Sequence, residues 1–348
     1  MFPGFPLRAS HATFACLILV GFFSMTTFFG NTTRSLPAAS SSPGTNEPEF
    51  KALPSPERLA RGKYIVEGIA HCFMCHGDQD YAHGSSQPLP ERKGAGKIVK
   101  GELYDGVFSP EGLVVPNITP DQETGAGSWT DAQFERAIRH GIGHDSRELY
   151  EYMPYPYFRS MTDEDVASVI VYIRSLPGVH NTLPKRNLPF PVKVNLHPEM
   201  EPPLPANATE QVKHGWYLVR LAQCNDCHTP NSETGEPIPA MMFGGGARMQ
   251  GAWGDVVTPN ITSDPSGISH YDEAMFIKTI RTGHASGGVR ELNTLMPYSY
   301  FRNMRDEDLK AIFAFLSTLP HVKHNVDNSE PPTYCKVCRQ KHGLGYIN

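Results

Sequence analysis

Positive charge is what this chain is short of. Lysine and arginine number 31 against 36 aspartates and glutamates, a formal net charge of −5 over 348 residues. With no cationic excess to hold a phosphate backbone, the composition argues against nucleic acid as a partner. Cysteine is scarce as well, at seven residues, too few for a scaffold stapled by disulfides. Strand-like alternation of any length is missing, so the body is expected to be all-α. Long apolar runs are missing beyond residue 29, which leaves one segment to explain.

That segment, residues 12–29, carries no charge and follows Arg8 and His11. As a helix its 18 residues are about 27 Å long, close to the thickness of a bilayer core. It marks residues 1–34 as a signal peptide or membrane anchor, followed by a polar spacer at 35–54. Leu36, Pro37 and Ala38 lack a small-x-small cleavage pattern, which favours an uncleaved anchor. What is plentiful is glycine and proline, 31 of each, a share that fits ordered but loop-rich domains rather than disorder.

The body repeats itself. Cys72-Phe-Met-Cys75-His76 returns as Cys224-Asn-Asp-Cys227-His228, and Pro116-Asn117-Ile118-Thr119 returns as Pro259-Asn260-Ile261-Thr262. Met153-Pro154-Tyr155 returns as Met296-Pro297-Tyr298, with Tyr-Phe-Arg and Asp-Glu-Asp following in both copies. A repeat this ordered has to be read before any single motif. It divides the chain into domains at 55–178 and 208–322, a proline-rich linker at 179–207 and a tail at 323–348.

Each copy carries three helix signatures. The first opens at Ser55-Pro56-Glu57, an N-cap with proline at N1, or at Thr209, and runs into the cysteine motif. The second opens at Thr130 with capping-box spacing to Gln133 and stops at Gly141; its partner stops at Gly283. The third opens at Thr162-Asp163-Glu164-Asp165 and places Val166, Val169, Ile170 and Ile173 on one face; its partner places Leu309, Ile312, Phe313 and Leu316 likewise.

Cys-x-x-Cys-His at a helix end has the spacing of a c-type haem attachment site: two thiols add to the porphyrin vinyl groups and the adjoining histidine is held beneath the iron. A thioredoxin-like dithiol would want a βαβ context, and a zinc site would have to gather both cysteine pairs although each has its own histidine. Cys72, Cys75, Cys224 and Cys227 are thus the attachment candidates, and His76 and His228 the proximal ligands of two covalently bound haems c. Met153 and Met296, in an irregular segment between the second and third helices, are the leading sixth ligands. Met161 and Met304 also recur, but Met161 sits where it would staple onto Val166. His140, His144 and His284 have no counterparts in the other copy, which leaves bis-histidine ligation as a minor alternative.

Those ordered elements resemble the multihaem cytochrome c subunits of membrane-bound bacterial dehydrogenases acting on alcohols, aldehydes or gluconate. The resemblance covers residues 55–320 and implies tandem class I-like cytochrome c domains. It further implies a non-catalytic subunit that relays electrons from a periplasmic dehydrogenase to the respiratory chain, at a quinone site, a cytochrome or an oxidase. The implied location is the periplasm, anchored to the inner membrane by the N-terminal segment, or free in the periplasm if that segment is cleaved. Many members have three haem motifs and this chain has two. The alternative from another class is a dihaem enzyme with one open haem, a peroxidase or a sulfur-compound oxidoreductase, for which intact Met-Pro-Tyr loops in both copies are unfavourable.

Several other residues have plainer readings. Cys335 and Cys338 are most simply an exported disulfide, with a decayed haem site or a metal site as alternatives. Cys16 lies in the apolar segment and reads as packing. Asn117 and Asn260 begin Asn-x-Thr triplets but suit turn-forming side-chain bonds. Arg139 and Arg281 are candidates for haem propionates or for a solvated helix face. Asp163, Glu164 and Asp165 are explained by the dipole at a helix N-terminus.

Overall fold

The computed structural model describes residues 50–79, 87–99, 112–185, 188, 191–233, 235–251, 254–285, 290–329, 333–334 and 341–342. The N-terminal apolar segment, Cys16, Cys335 and Cys338 lie outside them. Among the described residues no helix is long and apolar enough to cross a membrane.

Ten α-helices carry the described architecture, five per repeat: α1 (Pro56–Tyr64), α2 (Phe73–His76), α3 (Asp131–His140), α4 (Tyr155–Phe158) and α5 (Asp163–Arg174), then α6 (Glu210–Leu221), α7 (Cys224–His228), α8 (Glu273–Thr282), α9 (Tyr298–Phe301) and α10 (Asp306–Leu316). Their starts follow local chemistry. Ser55 accepts from the Arg58 backbone N–H, Thr130 and Gln133 close a capping box, and Thr162 accepts from Asp165 N–H. Gly141 and Gly283 end α3 and α8 at φ of 66° and 73°. The first repeat has one more residue than the second between its helix glycine (Gly62 or Gly215) and its first cysteine. The π-helical turn Ile65–Ile69 that continues α1 absorbs it.

In each repeat the first long helix crosses the last at a glycine. A Cβ on Gly62 would lie 1.9 Å from the Ser168 carbonyl oxygen, and one on Gly215 would lie 1.9 Å from that of Ala311. Only hydrogen fits there, so the helix backbones meet directly. Arginines lock the first crossing: Arg58 pairs with Glu164 at 2.8 Å and Arg61 with Asp165 at 2.7 Å. Arg139 from α3 reaches Asp163 at 2.8 Å and the Met161 carbonyl at 2.6 Å, and Arg281 repeats this at Asp306. These two arginines therefore tie α3 to α5 and α8 to α10. One apolar core runs through both repeats, from Ile65, Phe73 and Ile170 to Leu218, Phe243 and Phe315, and a smaller cluster gathers Val99, Leu113 and Val115.

Short antiparallel ladders depart from a purely helical reading: β1 (Lys97–Ile98) with β2 (Val114–Val115), β3 (Arg248–Gly251) with β4 (Gly254–Val257), β5 (His284–Ala285) with β6 (Arg290–Glu291), and β7 (Thr333–Tyr334) with β8 (Lys341–His342). They close loops over two to four residue pairs, too few for alternation to register in a sequence. The linker has one 3₁₀ turn, Pro198–Met200, in its described part. It is pinned to the first repeat by Val194 N–H on Glu148 (2.8 Å), Asn195 N–H on the Tyr155 hydroxyl (3.2 Å) and His197 on Glu151 (2.8 Å).

Replacing Gly62 or Gly215 by alanine forces the crossing helices apart. We expect each change to cost about 1–3 kcal/mol or more from overpacking, read as a lower urea midpoint. An unchanged midpoint would show that the crossing is loose.

Candidate haem sites

Both cysteine motifs follow a residue in the left-handed region, His71 at φ 36° and Gln223 at φ 58°. This bend turns the chain from the long helix into the short helix that carries the motif. Cys72, Cys75, Cys224 and Cys227 are free thiols and half-buried. Removal from water pushes Cys72 and Cys224 up to about 12, so both stay as S–H. A thiol is the form that adds hydrogen and sulfur across a vinyl double bond. Among the described residues no group of three histidines, cysteines or carboxylates is gathered around one metal position, as a zinc site drawn from both pairs would need.

The two histidines are fixed alike. His76 Nδ1 lies 2.9 Å from the Pro116 carbonyl oxygen and His228 Nδ1 lies 2.8 Å from that of Pro259. A carbonyl only accepts, so Nδ1 carries the proton and Nε2 keeps its lone pair for a metal. Both rings are buried, and burial holds them below the ordinary imidazole value, His76 at about 4. They are neutral at pH 7, as ligation requires.

The carbonyls that orient the histidines are themselves held by the Asn-Ile-Thr turns. Asn117 Oδ1 accepts from Thr119 N–H (3.0 Å) and its hydroxyl (2.7 Å), while Nδ2 donates to Val179 O at 2.7 Å. Asn260 repeats each bond, at 2.9 and 2.8 Å to Thr262 and 2.7 Å to Val322 O. Both asparagines are 3% exposed, so their amides belong to turns and are out of reach of a glycan. Gly96 (φ 72°) and Gly245 (φ 68°) donate to the carbonyls of His76 and His228. A Cβ at either would lie within 2.5 Å of the Pro-Asn backbone, which glycine alone avoids.

Met153 and Met296 sit in matching tight turns. Their N–H groups donate to Tyr150 O and Asn293 O at 3.0 Å, and the N–H of Tyr155 and Tyr298 returns to each methionine carbonyl at 2.7 Å. Both side chains are half-buried against the core. Met161 and Met304 are buried outright at 4% and 2%. A cavity of about 560 Å³ is lined by Cys224, Cys227, His228 and Met296, with Met304 also in its wall. Met74, Cys75, Tyr150 and Tyr152 of the first repeat open on the same cavity.

Sequence reasoning missed the residues at the seam between the repeats. The Tyr157 hydroxyl donates to Asp226 at 3.0 Å, joining the first methionine loop to the middle of the second cysteine motif. His71 meets Phe301 edge-on with ring centroids 5.5 Å apart. His197, raised to about 9 chiefly by its hydrogen bond to Glu151, lines the cavity from the linker. The only trace of the tyrosine in sequence is that Tyr157 and Tyr300 recur at the same place after Met-Pro-Tyr.

These elements define the class. The cytochrome c family matches residues 59–177, which are a cytochrome c domain, and that domain implies covalently bound haem c. The chain is 32% identical over 302 residues to the fructose dehydrogenase cytochrome subunit of Gluconobacter japonicus, covering 80% of this chain and 57% of that one. It is 30% identical over 297 residues to the cytochrome c subunit of alcohol dehydrogenase (quinone) from Gluconacetobacter polyoxogenes, covering 78% and 58%. A dihaem cytochrome c-type protein of Cereibacter sphaeroides is 28% identical over 305 residues, covering 81% of this chain and 92% of that one. Beyond the cytochrome c domain at 59–177, the chain is similar to dehydrogenase cytochrome c subunits over about four fifths of its own length, and it spans a little under three fifths of theirs.

The residues present fit a haem. At the second site the cavity lies within the range of about 300–1,000 Å³ that buries a ligand of drug size, and its wall brings together the Cys224 and Cys227 thiols, the His228 imidazole with Nδ1 already engaged and the Met296 sulfur; of the first site's residues Cys75 lines it, while Cys72, His76 and Met153 do not.

Replacing Asn117 or Asn260 by alanine strips a buried turn of its acceptor and leaves Thr119 or Thr262 N–H unpaired. Each change is expected to cost about 1–3 kcal/mol, measured by chemical denaturation. Loss of less than a few tenths would contradict the role given to the turn.

Proposed function

We propose that the chain is a dihaem c-type cytochrome of two tandem class I-like domains. Cys72 and Cys75 would attach one haem, with His76 and Met153 holding its iron, and Cys224 and Cys227 the other, with His228 and Met296 holding its iron. The observation that carries this is the duplicated histidine geometry, the same Nδ1-to-proline-carbonyl bond at 2.9 and 2.8 Å beneath both motifs. The dihaem relative, aligned over 92% of its length, supports the count of two.

A haem held by histidine and methionine supplies one-electron ferric/ferrous cycling with no vacant position for substrate. The chain's own residues do the rest. The Asn-Ile-Thr turns orient the proximal imidazoles, the Met-Pro-Tyr turns present sulfur, and the apolar walls exclude water and so favour the less charged, reduced state. The proposed role is to take electrons from a periplasmic dehydrogenase subunit and pass them to a quinone site, a cytochrome or an oxidase. The names of the relatives, subunits of fructose and alcohol dehydrogenases, support a dehydrogenase as donor. Residues 12–29 are proposed to hold the chain at the periplasmic face of the inner membrane.

A redox titration of the purified chain should show two reversible one-electron centres. Met153→Ala and Met296→Ala should each lower a different midpoint and remove one share of the sulfur-to-iron charge-transfer absorption. If neither change moves a midpoint, the methionine assignment is wrong; if Met304→Ala acts in place of Met296→Ala, the second ligand is Met304.

A further inference from the structure

The seam between the repeats is built by a reciprocal exchange. Tyr64, at the end of α1 in the first repeat, reaches the start of α10 in the second. Its hydroxyl accepts from the backbone N–H of Arg305, the N-cap residue, at 2.9 Å and donates to the carboxylate of Asp308. Tyr217, at the matching place in α6 of the second repeat, reaches the start of α5 in the first. Its hydroxyl accepts from Thr162 N–H, again the N-cap, at 3.3 Å and donates to Asp165 at 2.6 Å. In an ordinary capping box the side chain at N3 reaches back to the N-cap N–H directly. Here a hydroxyl from the other repeat stands between the two groups, so each cap is complete only when the repeats are docked.

Both aspartates are buried, at 5% and 2% exposure, and neither depends on the tyrosine alone. Arg61 holds Asp165 through both oxygens and His214 holds Asp308 at 2.6 Å. Burial, reinforced by the bond to Asp308, pushes the Tyr64 hydroxyl up to about 12, and the same causes raise Tyr217. Both hydroxyls remain donors at any physiological pH. Each tyrosine lies two residues beyond the glycine crossing of its own repeat and shortly before the left-handed residue that opens the cysteine motif. The position of each motif is therefore referred to the last helix of the opposite repeat. The cavity that Met74 and Cys75 share with Cys224 and Cys227 lies across this seam.

We infer that Tyr64 and Tyr217 are positioning residues for electron exchange between the two haem sites, clasping the repeats so that the separation of the sites is fixed. The inference rests on the two-haem function proposed above. The exchange moves one electron: one site is oxidised from ferrous to ferric, the other is reduced from ferric to ferrous, and no bond or proton need change. A rigid separation matters because the rate of such an exchange depends steeply on distance, whereas either site alone is indifferent to it.

The test uses the full chain carrying its haems, with Tyr64→Phe/Tyr217→Phe compared with the unaltered protein. After flash reduction by less than one electron per chain, redistribution between the sites is followed by absorbance, alongside haem content and both midpoints. The clasp predicts redistribution slowed several-fold in the double variant, with haem content and the ferrous spectra unchanged. A purely structural role would lower the denaturation midpoint and leave the rate alone, and that result overturns the inference. Should the double variant fail to load haem, Tyr64→Phe and Tyr217→Phe singly carry the same test, and wild-type rates in both overturn it. An unaltered chain holding fewer than two haems overturns the function and the clasp together; a two-haem chain whose rate ignores the tyrosines overturns only the clasp.

Discussion

Backbone meets backbone where Gly62 passes Ser168 and where Gly215 passes Ala311, and the rest of each repeat is arranged around that contact. Because only hydrogen fits, the first and last helices cross close and at one register. The crossing sets where α1 and α6 end, hence where the cysteine motifs begin, and sets where α5 and α10 begin, hence where their N-terminal carboxylates stand. Arg58 and Arg61 then pair along the first crossing rather than merely facing solvent. The apolar core fills in behind, continuous through both copies.

Within this repeated frame the two copies differ at points that matter for chemistry. Asp226, which accepts from the Tyr157 hydroxyl, stands inside the second cysteine motif where the first has Met74, whose thioether is a far weaker acceptor. Half-buried Lys97 donates to Met74 O and Gln79 beside the first motif. Burial pushes its ammonium below the usual lysine value, with Cys75 and Asp78 opposing. Arg61 grips Asp165 with a fork of two bonds, whereas His214 offers Asp308 one. Duplicated folds thus keep their backbone bonds, such as the proline carbonyls on both histidines, while the charges around them diverge.

Much of the fold was legible because its signals are local. Ser55, Thr130, Thr162 and Thr209 cap helices through bonds made within three residues, and a sequence displays such spacing directly. The cysteine motifs and the methionine turns were legible for the same reason, reinforced by repetition. What was not legible depends on partners distant in sequence. Asp163 and Asp165 read as dipole-stabilising residues, yet they also anchor Arg139, Arg61 and Tyr217. Nothing in the neighbourhood of Tyr64 announces that it binds Asp308. Phe243 takes φ 62° with its ring fully buried, an arrangement that packing against Phe315 supports and that no local rule anticipates. The two-residue ladders are likewise products of loop closure, with no pattern of their own.

The claim on which everything else depends is that each repeat of this chain holds its own covalent haem. Intact-mass measurement of the protein exported from a host with a cytochrome c maturation system tests it most directly. One haem per repeat gives a mass above that of the polypeptide by two haems, falling by one when Cys72 and Cys75 are both replaced by serine and by the other when Cys224 and Cys227 are. A mass showing a single haem, or none, would contradict it.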